Sequence, residues 1–193
     1  MFHATAGYIA GGLALIAYGP LVVATIKRKA RPNLATWLIW TISDILVVIS
    51  YFAVGARDTL WVPIGFTIGA VVVAILAITH GENKFGWLEI SCFIAACLSL
   101  IAWALTKAPL AALLINILIA GLGGLPTAKK TLLDPKSENA AAWILFSLSS
   151  IVNLLAIETW KFEIAVFPVA IFFFDTAICL LVVWPRKNIT VPT

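Results

Sequence analysis

The sequence predicts an all-α polytopic membrane protein with seven transmembrane helices, arranged as two parallel three-helix repeats joined by a linker helix. Three observations carry this prediction. The 193-residue chain is 62% hydrophobic and 11% charged, with a mean hydropathy of +1.06, far too apolar for a soluble domain. Seven apolar segments are each long enough to cross a bilayer, for which about 20 residues suffice. The chain also aligns with itself, without a gap, at an offset of 106 residues.

The spans follow in chain order. The first, 6–26, is a long apolar run with no basic residue before it and Lys27, Arg28, Lys29 and Arg31 after it, unlike a cleavable signal. The second, 34–55, opens after Arg31-Pro32-Asn33 and closes at Gly55-Ala56-Arg57-Asp58. The third, 60–79, ends at His80-Gly81-Glu82-Asn83-Lys84, and the fourth, 87–105, ends before Lys107. The fifth, 109–128, carries Gly121, Gly123 and Gly124; Asp134-Pro135-Lys136-Ser137-Glu138 separates it from the sixth, 140–159. The seventh, 163–184, precedes Arg186 and Lys187. No ten-residue polar/apolar alternation occurs, which favours helices over a barrel.

Charge orients the spans. Of the 13 basic residues, Lys27, Arg28, Lys29, Arg31, Lys84, Lys129, Lys130, Lys136, Arg186 and Lys187 fall on one side, and Arg57, Lys107 and Lys161 on the other. The positive-inside rule then puts the N-terminus outside and the C-terminus in the cytoplasm, with the cell (inner) membrane the expected location. The net charge of +4 is therefore topological, and no nucleic-acid partner is expected.

Residues 20–51 fall on 126–157 at the 106-residue offset, pairing Pro20 with Pro126, Thr25 with Thr131, Asn33 with Asn139, Ala35 with Ala141, Trp37 with Trp143, Ser43 with Ser149 and Ile45 with Ile151. Three helices per copy would invert the second copy; the fourth helix restores its direction. The expected layout is a first repeat over 1–79, a linker over 80–107, a second repeat over 108–187 and a cytoplasmic tail over 188–193. Duplicated membrane units are a signature of transporters. Pro20 and Pro126 each remove a helix N–H and clash with the preceding turn, so they are candidate gate hinges near the cytoplasmic ends.

Two acids lie about ten residues inside their spans, Asp44 in the second and Asp175 in the seventh, or roughly 15 Å deep at 1.5 Å per residue. A carboxylate there costs at least a few kcal/mol unless it is hydrated, partnered or protonated, so both are candidates for solute binding and proton coupling. Trp37, Trp40, Asp44 and Tyr51 share one face of the second helix, and Trp143, Phe146, Ser150 and Asn153 the matching face of the sixth. Asn116, Thr67 and Phe172 join them from the fifth, third and seventh. Aromatic planes with a few hydrogen-bonding groups suit a polar ring-shaped solute, sugar-like or nucleoside- or vitamin-like. Trp37, Trp61, Trp87, Trp103, Trp143, Trp160 and Trp184 fall at span ends, where an aromatic belt is the default explanation; Trp40 lies deeper.

Tyr18-Gly19-Pro20-Leu21-Val22, the basic loop after it, Thr36-Trp37-Leu38-Ile39-Trp40 and Leu125-Pro126-Thr127 together resemble the PQ-loop superfamily, which includes the SWEET sugar transporters, cystinosin-like proton-coupled carriers and, more distantly, nicotinamide riboside transporters. Leu21 and Thr127 stand where that family has glutamine. The resemblance implies a 3+1+3 transporter working by alternating access. Phe172-Phe173-Phe174-Asp175 is similar to the acidic position of cystinosin-like carriers, and Asp44 resembles their other acid. PQ-loop-like bundles also resemble KDEL-type sorting receptors, so a non-transporting receptor or sorting scaffold is the alternative, with the loops at 27–31 and 129–136 as docking surfaces. Homo-oligomerisation stays open.

Other chemistry finds no constellation. His3 and His80 fall near opposite faces, and Cys92, Cys97 and Cys179 lie in apolar helices without metal-ligand spacing, so neither metal nor cofactor is expected. No phosphate loop, zinc-protease motif or nucleophile elbow is present, and no enzyme is expected. Asn188-Ile189-Thr190 matches a glycosylation sequon on the cytoplasmic tail, where it would not be used.

Overall fold

Asparagines 106 residues apart start two of the helices in the same way. The Asn33 Oδ1 accepts the Thr36 N–H at 3.2 Å, and the Asn139 Oδ1 accepts the Ala142 N–H at 3.1 Å. Each satisfies one of the donors that a helix N-terminus leaves open. These details come from a computed structural model that describes residues 1–81, 86–135 and 138–184. The side chains of residues 88, 89, 92, 96, 99, 100, 102, 103, 125, 126, 129 and 130 lie outside that description. Pro126, Cys92, Trp103, Lys129 and Lys130 therefore fall outside the described side chains, and Lys84, Lys136, Arg186, Lys187 and Asn188 outside the described residues.

Among the described residues the fold is helical throughout: α1 Phe2–Ile26, α2 Leu34–Ala53, a 3-10 turn Asp58–Leu60, α3 Trp61–His80, α4 Trp87–Thr106, α5 Pro109–Leu133, α6 Ala140–Leu155 and α7 Phe162–Val183. Four helical stretches are long and apolar enough to cross a membrane, Phe2–Ile26, Leu34–Ala53, Asp58–His80 and Phe162–Val183, with shorter apolar segments at Pro109–Gly124 and Ala140–Leu155. This is the build of a membrane-embedded protein.

Three boundaries differ from the expected spans by four residues or more, the first being the start of α1 at Phe2 in place of 6. Helix α5 runs to Leu133, five residues past 128, because nothing breaks it before Asp134-Pro135, where proline disfavours a helical predecessor. Its backbone thus includes positions 129 and 130, which the sequence reading placed in a loop. Helix α6 stops at Leu155, short of 159. Its last turn tightens through Ala156 N–H to Asn153 O at 3.1 Å and Ile157 N–H to Leu154 O at 3.4 Å, and Ala156 and Ile157 turn back into the core.

The ends of α1 and α2 share one closure. After α2, Gly55 adopts φ 100° and donates to Phe52 O while Ala56 donates to Tyr51 O, the paired bonds of a Schellman cap. After α1, Arg28 N–H bonds Thr25 O at 2.9 Å and Lys29 N–H bonds Ala24 O at 2.8 Å, with Arg28 at φ 56°. A left-handed non-glycine residue costs about 1 kcal/mol. Arg28→Gly should therefore raise stability by about 1 kcal/mol, read as a higher apparent Tm in detergent; a lower Tm would mean that the arginine side chain contributes more than its backbone costs.

Helix neighbours close a ring in the order α1, α3, α2, α5, α7, α6 and back to α1, with α4 outside it against α5 and α2. Exchanging α1 with α5, α2 with α6 and α3 with α7 turns α1–α3, α3–α2 and α2–α5 into α5–α7, α7–α6 and α6–α1, the other three contacts of the ring. Directions follow from side-chain contacts. His3 Nδ1 lies 2.9 Å from Leu155 O and Tyr18 packs on Phe146, so α1 and α6 are antiparallel. Trp40 on α2 lies against Gly123 on α5, where a Cβ would stand 3.1 Å from the indole nitrogen.

Backbone proximity between α1 and α3 rests on Gly7, Gly11, Gly65 and Gly69, two sets of glycines at four-residue spacing. A Cβ on Gly11 would stand 2.7 Å from the Trp61 carbonyl oxygen, and one on Gly65 2.7 Å from the Gly11 carbonyl oxygen. Small residues let helix backbones approach where no hydrophobic effect drives them together.

Candidate functional site

Helices α2, α6 and α7 bring several of the predicted polar residues within reach of one another. Asp175 on α7 is 3% exposed, and its Oδ2 has no hydrogen-bond partner among the described residues. Ser150 on α6 lies within hydrogen-bonding reach of that carboxyl, but the Ser150 hydroxyl donates its one proton to Ser147 O at 3.0 Å. Asp44 on α2 is half-buried and lies within electrostatic reach of Asp175; Tyr18 on α1 is within reach of both. The two acids therefore share one neighbourhood across the seam between the halves of the ring.

One turn beyond Ser150, Asn153 is fully buried, and neither atom of its amide has a partner among the described residues. A buried amide without hydrogen bonds costs about 1–3 kcal/mol per unmatched group, which suits a side chain that waits for a ligand or water. Asn116 on α5 is also buried and donates to Ala112 O at 2.8 Å. It occupies the repeat position of Ala10, whose carbonyl accepts the Ser149 hydroxyl at 2.8 Å.

Aromatic rings pack edge to face beside these polar groups. Tyr18 meets Phe146 at 5.0 Å between centroids, Trp37 at 5.9 Å and Phe66 at 6.4 Å; Trp143 meets Phe146 at 5.6 Å and Phe174 at 6.2 Å. Trp40 stacks edge-on against Trp37 at 5.0 Å. The cluster draws on α1, α2, α3, α6 and α7, so no single-helix periodicity reveals it. Trp37 and Trp143 are buried in it and are not belt residues, whereas Trp61, Trp87, Trp160 and Trp184 are exposed as a belt would be.

Three expected neighbours serve elsewhere. Phe172 pairs with Phe173, which is 65% exposed, and Phe174 takes the place in the cluster that the sequence reading gave to Phe172. Tyr51 is fully buried, and its hydroxyl hydrogen-bonds Thr59 Oγ1 at 2.7 Å and the Ile164 carbonyl. It ties α2 to the start of α7 and is not part of the polar site. Thr67 donates to Pro63 O within its own helix at 2.8 Å.

No protein-family model matches the chain, and no curated protein or solved structure matches it. The site must therefore be read on its own chemistry.

Tyr18, Phe66 and Phe174 were missed as site residues. Phe174 had a signal, adjacency to Asp175, and Tyr18 had one in its place before Gly19-Pro20; Phe66 had none. Glycines seat two of these rings. A Cβ on Gly69 would stand 2.1 Å from the Tyr18 ring, and one on Gly124 2.3 Å from the Phe174 ring. Tyr18 and Gly124 are 106 residues apart, and so are Gly69 and Asp175. The ring and its glycine seat have traded helices between the halves, leaving the acid where the other half has a glycine.

Helix α1 passes through Pro20 without interruption, and a Cβ on the neighbouring Gly19 would meet nothing within 4 Å. The helix therefore has room to bend where proline has removed a hydrogen bond.

Proposed function

We propose that the protein is a small-solute membrane transporter of the PQ-loop or SWEET kind, working by alternating access between two parallel three-helix units, with α4 as their linker. The observation that carries this reading is the buried carboxyl of Asp175, with Oδ2 unmatched among the described residues, in a ring whose contacts are kept when α1–α3 and α5–α7 are exchanged. Symmetric units around a polar midplane site are how many carriers expose one site to either side in turn. Pro20 and Pro126 are the proposed gate positions, with the aromatic cluster forming the barrier between the acids and the basic end. Asp44 and Asp175 are the proposed proton carriers if transport is coupled. The basic end faces the cytoplasm in this reading, with the N-terminus outside.

The test is reconstitution. Purified protein in liposomes should exchange a labelled solute from a panel of sugars, amino acids, nucleosides, vitamins and organic cations, with counterflow when unlabelled solute is trapped inside. An imposed proton gradient should drive accumulation if the acids couple. Absence of exchange across the whole panel, with a cytosolic protein retained on the same sample in pull-down, would favour the scaffold reading instead.

A further inference from the structure

The charge inventory of the membrane interior narrows the solute class, and this step rests on the transporter reading. Within the described helices, Asp44 and Asp175 are the acids far from any helix end. The described basic side chains stand at the ends: His3 at the start of α1, Lys27 to Arg31 after it, Arg57 before α3, His80 at its last residue, Lys107 after α4 and Lys161 before α7. No ammonium, guanidinium or imidazole among the described residues reaches the acids, and no ion pair or hydrogen bond to Asp44 forms among them.

Donors are equally scarce. Asp175 Oδ2 receives none, and Ser150, whose hydroxyl lies within reach of the carboxyl, also donates to Ser147 O. Two carboxyls in one neighbourhood repel an anion and, once ionised, call for a positive charge that the described protein does not supply. Within reach of both acids stands Tyr18, whose ring packs edge to face with Trp37 and Phe146, and the quadrupoles of such rings attract a cation desolvated from water. A neutral solute would use the rings and amides but would leave the carboxyl pair unmatched.

We propose that the solute is a compact organic cation, a quaternary ammonium or protonated amine, held between Asp44 and Asp175 and against the rings of Tyr18 and Phe146. Size follows from the packing, since the rings touch at 5.0 to 6.4 Å and a bulky cation would have to part several helices.

The probe pair is choline and 3,3-dimethylbutan-1-ol, in which carbon replaces the charged nitrogen at nearly constant shape; ethanolamine and tetraethylammonium extend the cation set. Choline or ethanolamine should raise the apparent Tm of the purified protein and compete for uptake at least about tenfold better than the alcohol. Asp175→Asn and Asp44→Asn should lose that preference while remaining monodisperse. If the alcohol matches choline, or if sugars shift the protein and none of the three cations does, the cation proposal is overturned and the transporter reading stands. If no solute of any class is exchanged, the transporter reading itself fails. Should either asparagine variant aggregate, Tyr18→Leu and Phe146→Leu provide the second arm: a lost choline preference supports the proposal, and a retained one removes the rings from it.

Discussion

Asp175→Asn is expected to cut solute uptake in proteoliposomes by about 30- to 1,000-fold while leaving the apparent Tm unchanged or higher. Losing a buried charged partner of the solute is worth about 2–4 kcal/mol, which sets that range. Stability should move the other way. Asp175 is 3% exposed with one oxygen unmatched, so the native protein carries an uncompensated polar group that the amide, nearly the same size, carries more cheaply. A residue present for helix packing would behave differently, because an asparagine would keep the interhelical hydrogen bond and the activity, or lose both together. Opposite movement of activity and Tm is the mark of a functional group held at a cost to stability. Uptake within threefold of wild type would remove Asp175 from the site.

Asp44→Asn should be milder, since Asp44 is half-buried and meets more solvent or lipid than Asp175 does. The two acids differ because the halves of the ring differ. Ser150 occupies the repeat position of Asp44 and Gly69 that of Asp175, so each acid has a non-ionisable counterpart in the other half. What repeats faithfully is scaffold: the Asn33 and Asn139 caps, and Trp37 and Trp143 just inside them.

That division explains what was legible in the chain. Helix existence followed from local rules, because apolar runs and Pro act within a few residues of themselves; Asn33 and Asn139 were legible only as a repeat match, and their capping role came from the structure. The order of helices around the ring did not follow, since it depends on which small faces meet. Trp37 and Trp143 illustrate the limit. A tryptophan near a helix end satisfies a belt and a buried cluster equally well, and only the ring of Tyr18 arriving from α1 decides between them. Tyr51 errs in the opposite sense: it lies on the face of Asp44 but near the helix end, where Ile164 and Thr59 capture its hydroxyl.

Two adjacent glycines in α1 should respond to alanine with opposite signs. A Cβ on Gly11 would sit 2.7 Å from both the Cβ and the carbonyl oxygen of Trp61 and 2.9 Å from its carbonyl carbon, backbone that no rotamer change can move aside. Overpacking of this kind costs about 1–3 kcal/mol, against the roughly 1 kcal/mol that alanine returns in helix propensity. A Cβ on Gly12 meets nothing within 4 Å, so there the propensity gain stands alone. Gly12→Ala should thus raise the apparent Tm, and Gly11→Ala should lower it by an amount equivalent to up to about 2 kcal/mol, with Gly11→Leu losing the monodisperse protein altogether. The same contact predicts coupling. Gly65 faces the Gly11 carbonyl at 2.7 Å from its would-be Cβ, so once Gly11→Ala has pushed α3 away, Gly65→Ala has less left to disrupt. The double variant should be more stable than the sum of the single losses predicts, by about 0.5 kcal/mol or more. Strict additivity, or equal behaviour of Gly11→Ala and Gly12→Ala, would mean that α1 and α3 do not meet through these glycines.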